Sequence, residues 1–359
     1  MSDIKFTIMM PLFNHELYVG EAIKSVLNQN YEKFELIICN DGSTDNSFEI
    51  ARTFSDNRIK FIDKPNGGCV SALNACILES TGDYICWLSS DDYFGEDKLN
   101  YHLYAHKNSN SLISIAPSAE FRGDDFRNIN YNIDGGVTRM LPFFGGNPIN
   151  GLAICAHRSM YLKYGLFDSR YIFSHDYERW LSFLKYEEPV YVDGEPQSFT
   201  RLGTSFVKDS NPFFNGDLDN FRVLSRRMVY GLQYFIPDEF QISDEVLRHM
   251  LKKSIDLSDP RSNYFFRYGF SDFYIKTLSR FVVKYNLLKQ LRDLKEGGNI
   301  FDSKSASYVI SECLRRIEID DCTITTYDFL SHLKSLSSND ILSPANKACV
   351  DYYINKSFL

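Results

Sequence analysis

The chain has 359 residues, 44% hydrophobic and 24% charged, a composition that fits soluble globular domains and excludes disorder, collagen or coiled coil as the main architecture. Its 39 Lys and Arg against 47 Asp and Glu give a net charge of -8, which argues against a nucleic-acid partner. No run of about 18 apolar residues occurs and Met1-Ser2-Asp3-Ile4-Lys5 leads straight into strand-like sequence, so neither a membrane span nor an export signal is expected, and a cytoplasmic location is.

The first hundred residues alternate between short β-branched or aromatic runs and longer segments of helical period, the pattern of a βαβ sheet. Strands are predicted at Lys5 to Met10, Phe34 to Asn40, Ile59 to Ile62 and Tyr84 to Leu88. Between them, Tyr18 to Asn28 puts Val19, Ala22, Ile23, Val26 and Leu27 on one helical face, and Val70 to Glu79 does so with Val70, Leu73, Ile77 and Leu78. Each strand runs into a polar loop: Pro11-Leu12-Phe13-Asn14, Asp41-Gly42-Ser43-Thr44-Asp45, Asn66-Gly67-Gly68 and Ser89-Ser90-Asp91-Asp92. Ligands of open parallel sheets bind outside the carboxyl ends of the strands, where these four loops would gather.

From about Gly135 to Gly151 the chain is rich in Gly, Pro, Asn and Phe, as a mobile acceptor-side segment would be, and the loop from Leu141 to Asn150 could gate an acceptor or pack on the core. Helices are predicted at Arg158 to Tyr164 and Tyr177 to Lys185. Beyond Gly216 long helical patterns dominate, which places a domain at 1–215 and a helical region at 216–359. Between Arg248 and Lys295 eleven Lys or Arg face four Asp. This +7 stretch carries many aromatics, with Leu278, Phe281, Val282, Tyr285, Leu288 and Leu291 at helical spacing. Three readings stay open for it: an anionic membrane face, a helical bundle with a solvated basic side, or a homo-oligomer contact. The eight cysteines lack any Cys-x-x-Cys pair and mostly sit in apolar runs such as Ile37-Ile38-Cys39, so reduced, buried thiols are expected and a structural zinc site is not.

Asp41-Gly42-Ser43-Thr44-Asp45 lies between an apolar strand and a helix. Asp45 or Ser43 can cap that helix, and Gly42 permits the tight turn. A second acidic element, Asp91-Asp92, ends another apolar strand, and two such carboxylates can hold a hard divalent cation with substrate phosphates. No Walker loop, no Gly-x-Gly-x-x-Gly fingerprint and no Gly-x-Ser-x-Gly elbow is present.

Taken in order, the four loops, Glu21-Ala22-Ile23-Lys24-Ser25-Val26-Leu27-Asn28-Gln29 after the first, and Gly82-Asp83-Tyr84-Ile85-Cys86-Trp87-Leu88 before the fourth resemble glycosyltransferase family 2. The match is specific over residues 5 to about 95, fair from about 150 to 205 and absent beyond. The resemblance implies an α/β GT-A fold, Rossmann-like, with a mostly parallel sheet flanked by helices, and an inverting transfer from a nucleotide-diphosphate sugar, UDP-linked, to a glycan or lipid-linked acceptor of surface polysaccharide synthesis. It implies that Pro11, Phe13, Asn14, Asp41, Asn66, Gly68 and Asp91 bind the nucleotide sugar, that Asp91 with Asp92 holds Mn2+ or Mg2+, and that Asp176, in Ser174-His175-Asp176-Tyr177-Glu178, is the general base. His175 and Arg201 are then candidate contacts of the acceptor, diphosphate or cation, and the enzyme would work at the inner face of the cell membrane.

Two departures bear on this. Ser89 stands where the metal motif often has its first Asp, and Leu73 where many members carry an Arg beside the diphosphate, a charge that Lys64 or Arg201 would have to supply. A catalytically inactive nucleotide-sugar-binding module is therefore the alternative, and for Asp176 the plain alternative is a helix cap with Glu178 facing solvent.

Overall fold

The computed structural model describes residues 4–131, 147–169, 171 and 174–204, and further on 279, 282–283, 287–289, 291 and 304–318. Two compact units make up the chain: Met1–Gly135 with Asn147–Asn215, and Gly136–Gly146 with Gly216–Leu359.

The first unit is built on a seven-stranded sheet. Within it β1 (Phe6–Leu12) is flanked in parallel by β2 (Phe34–Asp41) and β4 (Tyr84–Trp87), with β3 (Ile59–Lys64) outside β2. The runs Phe-Thr-Ile-Met-Met and Tyr-Ile-Cys-Trp are apolar almost without alternation because helices cover both faces of a parallel sheet. Pro11 is tolerated near the end of β1 for a topological reason: β4 pairs with β1 only as far as Met9↔Trp87, so the missing N–H leaves no ladder bond unmade on that side. The crossovers contain α1 (Val19–Leu27), α2 (Ser47–Arg52) and α3 (Cys69–Glu79). On α1 the buried face is Val19, Ala22, Ile23 and Val26. On α3 it is Val70, Ala72, Leu73, Cys76 and Ile77, whereas Leu78, expected on that face, is 71% exposed.

Beyond β4 the sheet continues through β9 (Ile154–His157), antiparallel to both its neighbours, then β6 (Ile113–Ile115) and β10 (Val190–Tyr191). A second, four-stranded sheet joins β5 (Tyr93–Phe94), β11 (Ser198–Arg201), β7 (Ser118–Arg122) and β8 (Asp125–Ile129) in that order. Helix α5 (Arg158–Tyr164) lies as predicted, and α6 (His175–Leu184) starts two residues earlier than expected. Cys39, Cys76, Cys86, Cys155 and Cys313 are buried free thiols, while Cys69 is exposed; Cys322 and Cys349 lie outside the described residues.

In the second unit, α7 (Lys304–Glu318) buries Ile310, Cys313 and Leu314, and Ser279 Oγ donates to the Cys313 carbonyl at 3.3 Å. Most of 248–295, and the loop 141–146, lie outside the described residues. Where that basic stretch is described, Val282, Leu287 and Leu291 are buried and Val283 is exposed. No helix among the described residues is long and apolar enough to cross a membrane.

Helix α4 (Lys98–Asn108) packs a polar face inward: Lys98, His102 and His106 are buried beside Leu99 and Ala105. Lys98 is fully buried, its ammonium donating to the Leu152 carbonyl at 2.8 Å. Burial pushes its pKa from 10.5 to about 8, so the folded state gives up this proton at lower pH than the unfolded chain does. The resulting penalty, on the order of 3 kcal/mol, is complete below pH 8 and fades as pH rises towards 10.5. Since the Leu152 carbonyl also accepts from Ser198 Oγ, Lys98→Met leaves it satisfied. The variant is expected to be at least as stable as the parent at pH 7.5 and to lose the parent's gain between pH 8 and 10, measured by urea unfolding at both ends.

Candidate active site

The ends of β1, β2 and β3 are tied to one another by short polar side chains. Asn14, with a positive φ of 53°, accepts from the Thr44 amide at 2.8 Å through its side-chain oxygen, while its own N–H donates to Ser43 Oγ. The cap position of α2 is Asn46, not Asp45 or Ser43; Asp45, one residue earlier, takes the Ser47 amide at the start of the helix and the Glu16 amide. Gly42, at φ 71°, turns the chain so tightly that a Cβ there would stand 2.8 Å from the Asn66 nitrogen. Asp41 is 2% exposed and accepts from Lys64 and the Gly67 and Gly68 amides. Its carboxylate thereby fixes the shape of the Asn66-Gly67-Gly68 loop, whose Asn66 and Gly68 are exposed, while Pro11 and Phe13 are half-buried.

Next to these loops is a cavity of about 490 Å³ lined by Asp91, Asp92, Asp176 and Arg201, among others. Its Trp87 wall is fitted against Gly151, where a Cβ would stand 2.5 Å from the indole. Asp91 Oδ2 accepts from Thr204 Oγ1 at 2.7 Å, and Oδ1 lies 3.9 Å from His15 Nδ1. Asp92 Oδ1 accepts the Arg201 amide at 2.7 Å. The Arg201 guanidinium donates to the Asp91 carbonyl, pairs with Glu21 at 2.5 Å and stacks over Tyr18 and Phe121.

Asp176 sits in the first turn of α6, where the helix dipole favours a carboxylate. Its Oδ1 accepts the Tyr177 amide at 2.7 Å and its Oδ2 accepts from Asn147 Nδ2 at 2.8 Å. Glu178 does not face solvent: it is 5% exposed and pairs with Arg179, which in turn donates to the Tyr164 and Gly165 carbonyls. The His175 ring is turned into the core, 5.5 Å from Trp87 and 5.8 Å from Phe167. Cys69, exposed at the start of α3, has its thiol held above the usual range, by desolvation of the sulfur first and then by the charges of Asp41, Asp176 and Asp91.

Two features bear on the charge of a bound diphosphate. Leu73 is fully buried in the core, so a side chain at this position on α3 faces the sheet. Lys64 and Arg201, the cations expected to stand in, each already pair with a carboxylate. The oxygen donors of Asp91 and Asp92 at one cavity wall fit a hard divalent ion, which takes carboxylates together with substrate oxygens. A different grouping, His102, His106 and Cys155, also brings ligand atoms within 4.8 Å of one another. The Ser114 hydroxyl lies between the two imidazoles, 2.6 Å from His102 Nδ1 and 2.8 Å from His106 Nε2. With the Lys98 charge acting on His102, this cluster is a buried hydrogen-bonded network that disfavours a cation.

Asn147, Thr204 and His15 have no motif that would single them out in the sequence. Asn147 falls in the Gly- and Asn-rich stretch, and Thr204 becomes relevant only once β11 lies beside the end of β4.

The fold is of the GT-A type. The crystal structure of Staphylococcus aureus TarS 1-349 superposes with a TM-score of 0.57 at 15% identity, covering 89% of this chain and 91% of that one, and TarS has also been solved in complex with UDP. A family model described as glycosyl transferase family 2 matches residues 7–164. An uncharacterized glycosyltransferase of Haemophilus influenzae is 30% identical over 238 residues, which cover 64% of this chain and 93% of the relative. One from Rickettsia typhi is 32% identical over 200 residues, covering 53% of this chain; the match spans 61% of the relative's own length. The chain belongs to glycosyltransferase family 2.

Gly42→Ala places a side chain both at positive φ and against the Asn66 backbone. It is expected to cost about 1–2 kcal/mol or more in chemical denaturation and to weaken nucleotide binding by displacing the 66–68 loop.

Proposed function

We propose that this protein is an inverting transferase that moves a sugar from a UDP-linked donor to a glycan or lipid-linked acceptor in surface polysaccharide synthesis. The observation that carries this is the meeting of Asp91, Asp92 and Asp176 at one cavity, with the Asp41 loop beside it. The nucleotide would lie on Pro11, Phe13, Asn14 and Asp41, with the diphosphate passing Asn66 and Gly68 towards Asp91. Asp41 has one lone pair on Oδ2 beyond the bond from Gly68, which suits the N–H of a base such as uracil.

With Lys64 and Arg201 engaged, the described part of the cleft presents the donor mainly with acidic groups. Asp91, supported by Asp92, would hold Mn2+ or Mg2+ there, and the cation would supply the positive charge that offsets the departing diphosphate. Asp176 would take the proton of the acceptor hydroxyl as that oxygen bonds to the anomeric carbon and the bond from carbon to diphosphate oxygen breaks on the opposite side. The remaining walls, with Trp87, Tyr131, Asn150 and Thr200, combine aromatic faces with hydroxyls and amides, the chemistry that suits a sugar.

Thermal unfolding with UDP and UDP-sugars, with and without Mn2+, is expected to show stabilisation that depends on the metal. Asp176→Asn should keep that shift and lose turnover by at least about a hundredfold. Full turnover in this variant would reject Asp176 as base, and a folded protein that responds to no nucleotide would favour a module without donor binding. The basic 248–295 stretch is proposed to bring the enzyme to an anionic membrane. Cosedimentation with phosphatidylserine vesicles at low salt, abolished at high salt, is the expected result.

A further inference from the structure

The Asp176 carboxylate is held from across the cavity by a segment that does not belong to its helix. Asn147 Nδ2 donates to Asp176 Oδ2 at 2.8 Å, while Asn147 Oδ1 accepts the Ile149 amide at 3.2 Å. These two bonds fix which way the amide points, because a carboxylate can only accept and a backbone N–H can only donate. A flipped Asn147 would set oxygen against oxygen and nitrogen against N–H.

The segment that carries Asn147 is itself pinned. Asn150 donates from Nδ2 to Thr200 Oγ1 on β11 at 2.8 Å, and its Oδ1 takes the Leu152 amide at 2.9 Å. The Asn150 N–H donates to the Tyr131 hydroxyl, which lies 2.8 Å from Ser118 Oγ on β7. Gly151 then closes against Trp87. Residues 147–151 thus form a bracket bolted to β11, to β7 through Tyr131, and to β4. Through Asn147 it reaches the one carboxylate that the reaction needs in a defined orientation.

We infer that Asn147 is a positioning residue for Asp176. Its amide engages Oδ2 and, together with the Tyr177 amide on Oδ1, sets the angle at which the carboxylate meets the cavity where an acceptor hydroxyl would arrive. This inference rests on the reading of Asp176 as base, and it adds a residue that acts through Asp176 without touching the reacting atoms. Asp91, Asp92, Glu120, Arg127 and Arg201 are the other charged groups lining the cavity, and they are unchanged by substitution at 147.

Three variants of the full chain test it, in steady-state kinetics with UDP-sugar and Mn2+ and with UDP-induced thermal stabilisation as a check of folding and donor binding. Asn147→Leu keeps the shape and removes the donor, and is expected to lower kcat about ten- to hundredfold with donor KM changed less than about twofold. Asn147→Asp, which also sets a like charge against Asp176, should lose more. Asn147→Gln retains the amide and should recover most of the loss. A Leu variant with unaltered kcat, in a protein inactivated by Asp176→Asn, overturns the positioning role and leaves the proposed function standing. A Leu variant that loses kcat, donor affinity and thermal stability together, with no recovery in Gln, marks a purely structural bond and overturns it as well. If Asp176→Asn itself turns over normally, the failure lies with the base assignment.

Discussion

The parallel register of β4, β1 and β2 decides where every functional loop of the first unit emerges. It is locked at the opposite end of the sheet by one carboxylate. Glu35, at the start of β2, accepts from Thr7 Oγ1 on β1, from the Thr81 amide and hydroxyl, from the Gly82 amide before β4, and from Lys5 Nζ. Burial works against its charge, but these bonds prevail and hold its carboxyl at about 2. Gly82 belongs to the same lock, since a Cβ there would come 2.6 Å from Thr7 Oγ1. A slip of one residue in either pairing would turn each strand's side chains over and move Asp41 and Asp91 away from a common edge. Charge at the bottom of the sheet therefore specifies the geometry at its top.

The central sheet and its acidic loops were legible because the physics that makes them is local. Strands covered on both faces must be apolar throughout, and a loop after a parallel strand must turn, which calls for residues such as Gly42 and Asp45. Helix α4 was not legible for the opposite reason. Its inward face carries Lys98, His102 and His106, so its hydrophobic pattern runs against the rule that helix prediction relies on. The small sheet fails differently: β5 is two residues long, and its pairing with β11 joins Phe94 to Ser198, a separation no local pattern can announce. Leu73 teaches a narrower lesson. The same spacing that put it among Val70 and Ile77 already placed it in the core, so its apolar character follows from packing and carries no message about the diphosphate.

Among the candidate site residues, type and role come apart. Asp41 was expected to face a ligand, yet most of its bonding capacity shapes the loop at 66–68, and Asn14 likewise stitches the ends of β1 and β2 together. Arg201 is held by four groups of the protein: Glu21, the Asp91 carbonyl, and the faces of Tyr18 and Phe121. Sequence motifs in this region report the residues needed to build a concave edge as much as those that touch a substrate. Only the network of bonds distinguishes the two.

That distinction explains how the site can hold several carboxylates close together. Each acid is provided with a donor from the scaffold: two backbone amides and Lys64 for Asp41, Thr204 for Asp91, the Arg201 amide for Asp92, and the Tyr177 amide and Asn147 for Asp176. Most of these donors are neutral, so they orient the acids without adding positive charge to the cleft. A cation arriving with the donor sugar would find those acids in place. The scaffold's own cations are placed at the edges, where they fix backbone and loops. An arrangement of this kind orients its acids before any ligand binds, through donors that belong to the 147–151 bracket, the loop ends and β11, while the lock at Glu35 holds the register of the strands that deliver them.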